Sequence, residues 1–304
     1  MLAFFDSKHI FQFMNKLPLE KRVQILSMLV EGSSMRAISR VVGVSINTVT
    51  KLLEDAGAAC VAHHDEKVCG LKSRRVQCDE IWSFNYCRAG NVEKAKAAPE
   101  DAGDVWTWTA LDADSKLIIS YLVGGRDSEY AQAFMHDVAG RLANRVQLTT
   151  DGHNAYLDAV SDAFENHVDY AMLVKIYGQA TRQDGKRVYG SAETCIGAKK
   201  KPVMGSPDLA HAQTSFVESM NQKIRAHVRR FTRMSAAHSK KLANHLYALA
   251  LYFSWYNWIR PHMSLDGRTP AMAAGLTDRP MSMADFVGLI DAAEFERLIG
   301  KYSN

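Results

Sequence analysis

No run in this 304-residue chain comes near the ~18 apolar residues that a membrane-crossing helix needs; the longest, Leu246–Phe253, is far shorter. The N-terminal Met1-Leu-Ala-Phe-Phe-Asp6 meets an acid, then Lys8 and His9, before the apolar core of a secretion signal can build. Neither a membrane protein nor an exported one is expected. Internal repeats and low-complexity tracts are absent. Cysteine is sparse, with five residues, an odd number that fits free thiols better than a disulfide framework. Cys60, Cys69, Cys78 and Cys87 recur every ninth residue, whereas structural zinc sites use pairs ~2–4 residues apart, so the spacing argues against zinc. Finally, no Asp or Glu occurs between Ser219 and Lys241, a stretch that holds Lys223, Arg225, Arg229, Arg230 and Arg233.

The 47% of hydrophobic residues supplies a sizeable core, and the length exceeds one typical domain. Charge is distributed by region. Residues 1–75 carry +4 (11 basic, 7 acidic), 76–213 carry −5 (14 basic, 19 acidic) and 214–304 carry +5 (12 basic, 7 acidic). A basic head and tail around an acidic middle suit a protein that grips phosphates at its flanks and a cation at its centre.

Three acids stand in contexts suited to that centre. Asp79 lies inside the β-rich run Val76-Gln-Cys-Asp-Glu-Ile-Trp-Ser-Phe84, where an isolated carboxylate needs a charge to face. Asp151 ends the strand-like Val146–Thr150 and precedes Gly152, and Glu218 opens a polar-then-basic helix. Acids this far apart in sequence converge only through a fold. Phosphodiester chemistry at neutral pH requires an activated oxygen nucleophile and neutralisation of the leaving oxygen, which two Mg²⁺ ions ~3.5–4 Å apart supply. Magnesium takes oxygen ligands, so carboxylates suffice. Glu80, Asp112 and His153 are secondary candidates, with Glu80 expected on the strand face opposite Asp79.

Periodicity arranges elements around these acids. Val76–Tyr86, Val105–Leu111 and Leu117–Val123 read as successive strands. A helix capped by Ser128, a strand at Val146–Thr150, a helix at Asn154–Phe164 and a strand at Val168–Val174 follow, and another helix starts near Ser215. Residues 175–213 lack periodicity and read as a long inserted loop. Ahead of the acids, Pro18–Glu31, Met35–Val42 and Ile46–Asp55 read as helices separated by Gly32 and Gly43. Ile38, Val42, Val44, Val49 and Leu52 fall on the buried positions of a helix-turn-helix with Ser39 at the crossing. Asn47, Thr48 and Lys51 then face outward, with side chains suited to base edges and phosphates. The expected organisation is a helix-turn-helix domain at 1–60, a linker at 61–75, a catalytic domain at 76–276 and a helical tail at 277–304.

The order β-β-β-α-β-α-β-α, with acids on the first strand, past the fourth and on the last helix, resembles the α/β ribonuclease H-like fold of DDE transposases and retroviral integrases. More closely, the chain resembles bacterial insertion-sequence transposases of the insertion-sequence-1 type. The stretches that carry this likeness are Asp79–Phe84, Thr149–Tyr156, Leu173–Gly178, Gln213–Asn221, Arg229–Arg233, Tyr256–His262 and Thr269–Gly275. The resemblance implies catalytic, metal-binding roles for Asp79, Asp151 and Glu218, with two Mg²⁺ ions replaceable by Mn²⁺. It implies double-stranded DNA partners, the element's inverted repeats and the target, and a homo-oligomer assembled on DNA in the bacterial cytoplasm, associated with the nucleoid. DNA contacts are expected from Asn47, Thr48 and Lys51, and from Lys223, Arg225, Arg229, Arg230 and Arg233 on a basic helix. A DNA-binding regulator without catalysis, and a nuclease that cuts without joining, are the alternatives.

Overall fold

The structure, a computed structural model, describes residues 16–179, 193–232 and 238–302. Its N-terminal part is three helices, α1 Leu19–Val30, α2 Met35–Val42 and α3 Ile46–Lys67. Each boundary has a local cause. Pro18 precedes the first turn of α1, and the Ser34 and Ser45 hydroxyls cap α2 and α3 by accepting from the amides of Ala37 and Thr48. Between α2 and α3, Gly43 takes a left-handed φ of 70°, which a side chain resists. Ile38, Val42, Val49 and Leu52 are buried as expected, and Ser39 donates from its hydroxyl to Val44 O at 2.6 Å, which ties the turn to α2.

One expectation fails here. Residues 61–67, assigned to a linker, continue α3, because Leu53, Ala56, Gly57, Cys60 and His64 form a buried stripe at helical spacing. That stripe packs on α7, Leu242–Trp258. At the crossing a Cβ on Gly57 would stand 2.3 Å from Tyr247 Cβ, so the two helices approach as closely as they do only with glycine there.

Six strands form one mixed sheet: β1 Arg75–Asn85, β2 Gly103–Asp112, β3 Ile118–Gly124, β4 Val146–Asp151, β5 Val168–Gln179 and β6 Glu193–Met204. Their spatial order is β3-β2-β1-β4-β5-β6. β1, β2 and β3 form an antiparallel meander, β4 lies parallel to β1, β5 parallel to β4, and β6 antiparallel to β5. Of the long loop expected over 175–213, residues 175–179 instead extend β5 and 193–204 form a sixth strand, while 180–192 lie outside the described residues. β6 is exposed from Cys195 to Pro202, so no apolar alternation marks it, and its lysines and Pro202 are edge-strand residues.

Helices α4, Ser128–Arg141, and α5, Ala155–Phe164, pack together and bury Phe134, Met135, Tyr156 and Val160. α6, Ser215–His227, lies against β1 and β2. The C-terminal α8, Met283–Tyr302, returns to α1 and α3, where Asp291 pairs with Lys16 at 3.0 Å and Arg22 at 2.8 Å. One continuous apolar core therefore joins the N-terminal helices, the sheet and the C-terminal helices. No described helix is long and apolar enough to cross a membrane.

Candidate active site

β1 and β4 pair through Arg75↔Gln147, Val76↔Leu148 and Gln77↔Thr149, and there their ladder stops. Two residues further along each strand stand Asp79 and Asp151. Between these strands the chain has crossed from the β1-β2-β3 side of the sheet to the β4-β5-β6 side. Open α/β sheets receive ligands at such a switch, beyond the carboxyl ends of parallel strands.

Alternation along β1 sends Gln77 and Asp79 to one face and Val76, Cys78 and Glu80 to the other. The partners agree. Asn221 of α6 donates from Nδ2 to Asp79 Oδ2 at 2.8 Å, and the Gln77 side-chain oxygen Oε1 accepts from the backbone amides of Phe216 and Val217, pinning the first turn of α6 to β1. Glu80 points toward α4 and α5, where Arg126 Nε donates to Oε1 at 2.8 Å and the Tyr156 hydroxyl to Oε2 at 3.0 Å. The Arg126 guanidinium in turn lies 4.5 Å from the Trp106 ring centroid. Even so, one carboxylate oxygen each of Asp79, Glu80 and Asp151 lies within 4.8 Å of the other two. Burial first, then the charges of Asp151 and Glu80, pushes the Asp79 carboxyl up to about 7. Burial and Asp151 likewise raise Glu80, against the pull of Arg126 and Tyr156. Burial and mutual repulsion thus act together on Asp79 and Glu80.

Glu218 stands apart from this cluster. Its Oε1 accepts from Lys175 Nζ at 2.8 Å and from the Thr214 hydroxyl at 2.6 Å. Burial opposes its ionisation, but Lys175 and Thr214 outweigh that and leave its carboxyl below the usual range. Lys175 also favours the ionised form of Asp79, so this one ammonium lies within electrostatic reach of both acids. Asn221, three residues past Glu218 on α6, connects the same helix face to Asp79.

Of the secondary candidates, Glu80 joins the cluster. Asp112 is a turn former whose Oδ1 accepts from the amides of Asp114 and Ser115. His153 donates its amide to Asp151 Oδ1 at 2.9 Å and packs its ring on Trp108. Sequence reasoning missed the roles of Gln77, Arg126, Tyr156, Lys175 and Asn221. Gln77 carried a signal, a polar side chain two residues before Asp79 and hence on its face of the strand, and Tyr156, Lys175 and Asn221 lie within the stretches that carry the family likeness.

The residues expected to contact DNA fall in two places. Asn47 and Lys51 are exposed near the start of α3, with Thr48 half-buried between them. The Thr48 hydroxyl lies 2.8 Å from that of Ser45, and Lys51 pairs with Asp55 at 3.0 Å. The downstream basic stretch is not one helix. α6 ends at His227, and Arg229 and Arg230 occupy a separate 3₁₀ turn. Lys223 is half-buried, 5.5 Å from the Tyr256 ring centroid, and burial lowers its pKa. Arg225 lies on the last turn of α6 and Arg229 is exposed, but Arg230 donates to the Ser239 hydroxyl at 2.7 Å, and burial pushes it down to about 10. Arg230 is a packing residue rather than a solvated cation. Arg233 lies outside the described residues. All five cysteines are free thiols.

Residues 201–270 match the family described as Integrase core domain, a stretch that contains Glu218 but neither Asp79 nor Asp151. No curated protein matches the chain. Among solved structures, the chain is similar to the Mos1 transposase paired-end complex with left transposon end, at 16% identity and a TM-score of 0.23 over 55% of this chain and 69% of that one. It is also similar to the Mos1 Strand Transfer Complex, at 13% identity and a TM-score of 0.24 over 78% of each chain. A synaptic complex of piggyBac transposase with hairpin DNA gives 11% identity and a TM-score of 0.35, over 92% of this chain and 72% of that one. At these scores the structural likenesses carry no argument about mechanism.

Proposed function

We propose that the protein is a DNA transposase of the DDE class, with a ribonuclease H-like core, that cuts the 3′ ends of an insertion element and joins them to target DNA. The observation that carries this reading is the convergence of Asp79 and Asp151, with Glu80, at the strand crossover where the β1–β4 ladder lapses. The integrase-core match over α6 and α7 supports it.

The donor set suits a hard cation. It offers carboxylate oxygens and no sulfur, and burial and the neighbouring acids Asp151 and Glu80 raise Asp79, a repulsion that a bound cation would offset. Asp79 and Asp151 would hold Mg²⁺ or Mn²⁺, and Glu218 would complete the set on release from Lys175. When bound, the ions supply an activated oxygen nucleophile and neutralise charge on the leaving oxygen. The protein's own groups do the positioning. Asn221 orients the Asp79 carboxylate, Gln77 fixes α6, and Arg126 with Tyr156 hold Glu80 in place. Lys175 would add a positive charge beside Asp79 and Glu218.

The exposed start of α3 would read the element's inverted repeats in the major groove through Asn47, Thr48 and Lys51. Asn47→Ala should therefore cost about 1–3 kcal/mol on the cognate repeat and almost nothing on random duplex, measured as paired Kd values at one salt concentration. An equal loss on both duplexes removes Asn47 from base reading. The reaction itself is tested with a pre-nicked repeat end, a target plasmid and Mg²⁺. Joined product supports the proposal, cut product alone makes the protein a nuclease, and binding alone makes it a regulator.

A further inference from the structure

A groove of about 760 Å³ runs between the N-terminal helices and the segment leading into α7. One wall is the end of α1, the start of α2 and the first turns of α3; the other is Val228–Arg230 and His238–Tyr252. Among the described residues five cations line it, Arg36 from α2 and Arg229, Arg230, Lys240 and Lys241 from the facing wall, and no Asp or Glu does. Among the described residues none of the five forms an ion pair with a carboxylate. Two acids bond to residues beside it: Glu31 faces His227 at 3.8 Å, and Asp101 accepts from the Leu242 amide at 3.2 Å. Arg230 is bound to Ser239, and Lys240 sits 2.8 Å from His238 Nε2 and 5.2 Å from the Tyr86 ring centroid. Arg36, Arg229 and Lys241 are exposed, on two different walls.

Like charges gathered in one groove repel one another, and among the described residues no carboxylate pairs with them. The floor beneath is apolar, with Leu53, Leu251 and Tyr252 buried, so the cations stand on a surface of lowered polarity where an arriving anion is held more strongly than in open water. Ile46 and Thr50 of α3 also line the groove, and Asn47 and Lys51 follow each of them directly in the chain.

From this arrangement we infer that the groove is a second DNA-binding site, one that takes the phosphodiester backbone of DNA where it leaves the exposed start of α3, clamping it between Arg36 on one wall and Arg229 and Lys241 on the other. The inference rests on the proposal that the chain acts on DNA, and it adds a backbone site away from the acid cluster. It makes the relative placement of the N-terminal helices and α7 part of substrate binding, because each wall supplies half of the clamp.

The test is fluorescence anisotropy with a labelled random duplex across a salt series, on the full chain and on Arg36→Ala, Lys241→Ala and the double variant. Each lost phosphate contact lowers the slope of log Kobs against log salt by about 0.9, so the pair should lose about 1.8. Lys67→Ala is the control. Lys67 is exposed at the far end of α3, roughly 30 Å from Ile46 at 1.5 Å per residue, and should leave the slope unchanged. Melting temperatures establish that the variants fold, and the charge-preserving Arg36→Lys and Lys241→Arg should keep the wild-type slope. Unchanged slopes in the double variant overturn the inference, as does an equal fall in Lys67→Ala. Competition by polyglutamate as effective, per charge, as that by duplex DNA also overturns it, since the groove would then favour an acidic protein segment. The two proposals fail separately. DNA binding through the groove without cut or joined product sinks the chemistry alone, whereas cutting and joining with unaltered slopes sinks the groove alone.

Discussion

Asp151→Asn should lower metal-dependent cleavage and joining by at least ~10³-fold, a loss of several kcal/mol of transition-state stabilisation, while folding and DNA binding persist. The substitution keeps the shape at the tip of β4 and removes one of the anions that a dication needs. It also removes a repulsive neighbour of Asp79, so the metal-free variant should melt slightly above the wild type. Added Mg²⁺ should raise the melting temperature of the wild type and leave the variant unmoved, because only a cation that binds the folded state stabilises it. Asp158→Asn is the matched control, since Asp158 is exposed on α5 with no place in the cluster. A variant that still cuts in Mg²⁺, or a dead Asp158→Asn, removes Asp151 from the site. Retained activity together with a lost Mg²⁺ shift would separate cation binding from chemistry and equally contradict the assignment.

The parts legible in the sequence were those written locally. Serine caps, a turn glycine and the helical spacing of Ile38, Val42, Val49 and Leu52 specify α2 and α3 without reference to the rest of the chain. Strands β1 to β5 were legible because most of them bury alternating or continuous apolar faces. β6 was not, because an exposed edge strand rich in lysine has no buried face to leave a period. The end of α3 was missed for another reason. Alanine, cysteine and histidine look like linker composition, and only the partner helix α7 makes Ala56, Cys60 and His64 a buried stripe. In the site, residue type and strand position pointed to Asp79 and Asp151. The seating of Glu218 against Lys175 depends on β5 lying beside β4 with α6 folded back over β1, a three-dimensional fact that no spacing encodes. The same holds for Glu80, which reaches the cluster from the opposite strand face because Asp151 stands at a tip rather than within a ladder.

The largest stability effect is expected from Asn257, a polar residue buried in the last turn of the aromatic helix α7. β3 is an outer strand of the sheet, and its first residue, Ile118, would otherwise leave an amide and a carbonyl buried and unpaired. Asn257 of α7 closes both, with Oδ1 accepting from Ile118 N at 2.9 Å and Nδ2 donating to Ile118 O at 3.0 Å. One side-chain amide thus stands in for a neighbouring strand and fastens α7 to the sheet. Asn257→Leu keeps the same branching and heavy-atom count and is somewhat larger, so a cavity is not the cause of any loss. It leaves two buried backbone groups unsatisfied at about 1–3 kcal/mol each, for an expected destabilisation of roughly 3 kcal/mol. At ~2–4 °C per kcal/mol for chains of somewhat smaller size, the melting temperature should fall by about 5–10 °C. Asn257→Asp should do no better, because a carboxylate can accept from Ile118 N but cannot donate to Ile118 O. Hydrogen exchange at the Ile118 amide adds a local readout, with protection falling further in Asn257→Leu than at the neighbouring Ile119 amide. A loss below about 1 kcal/mol, or unchanged protection at Ile118, would mean that β3 is held by its β2 ladder alone.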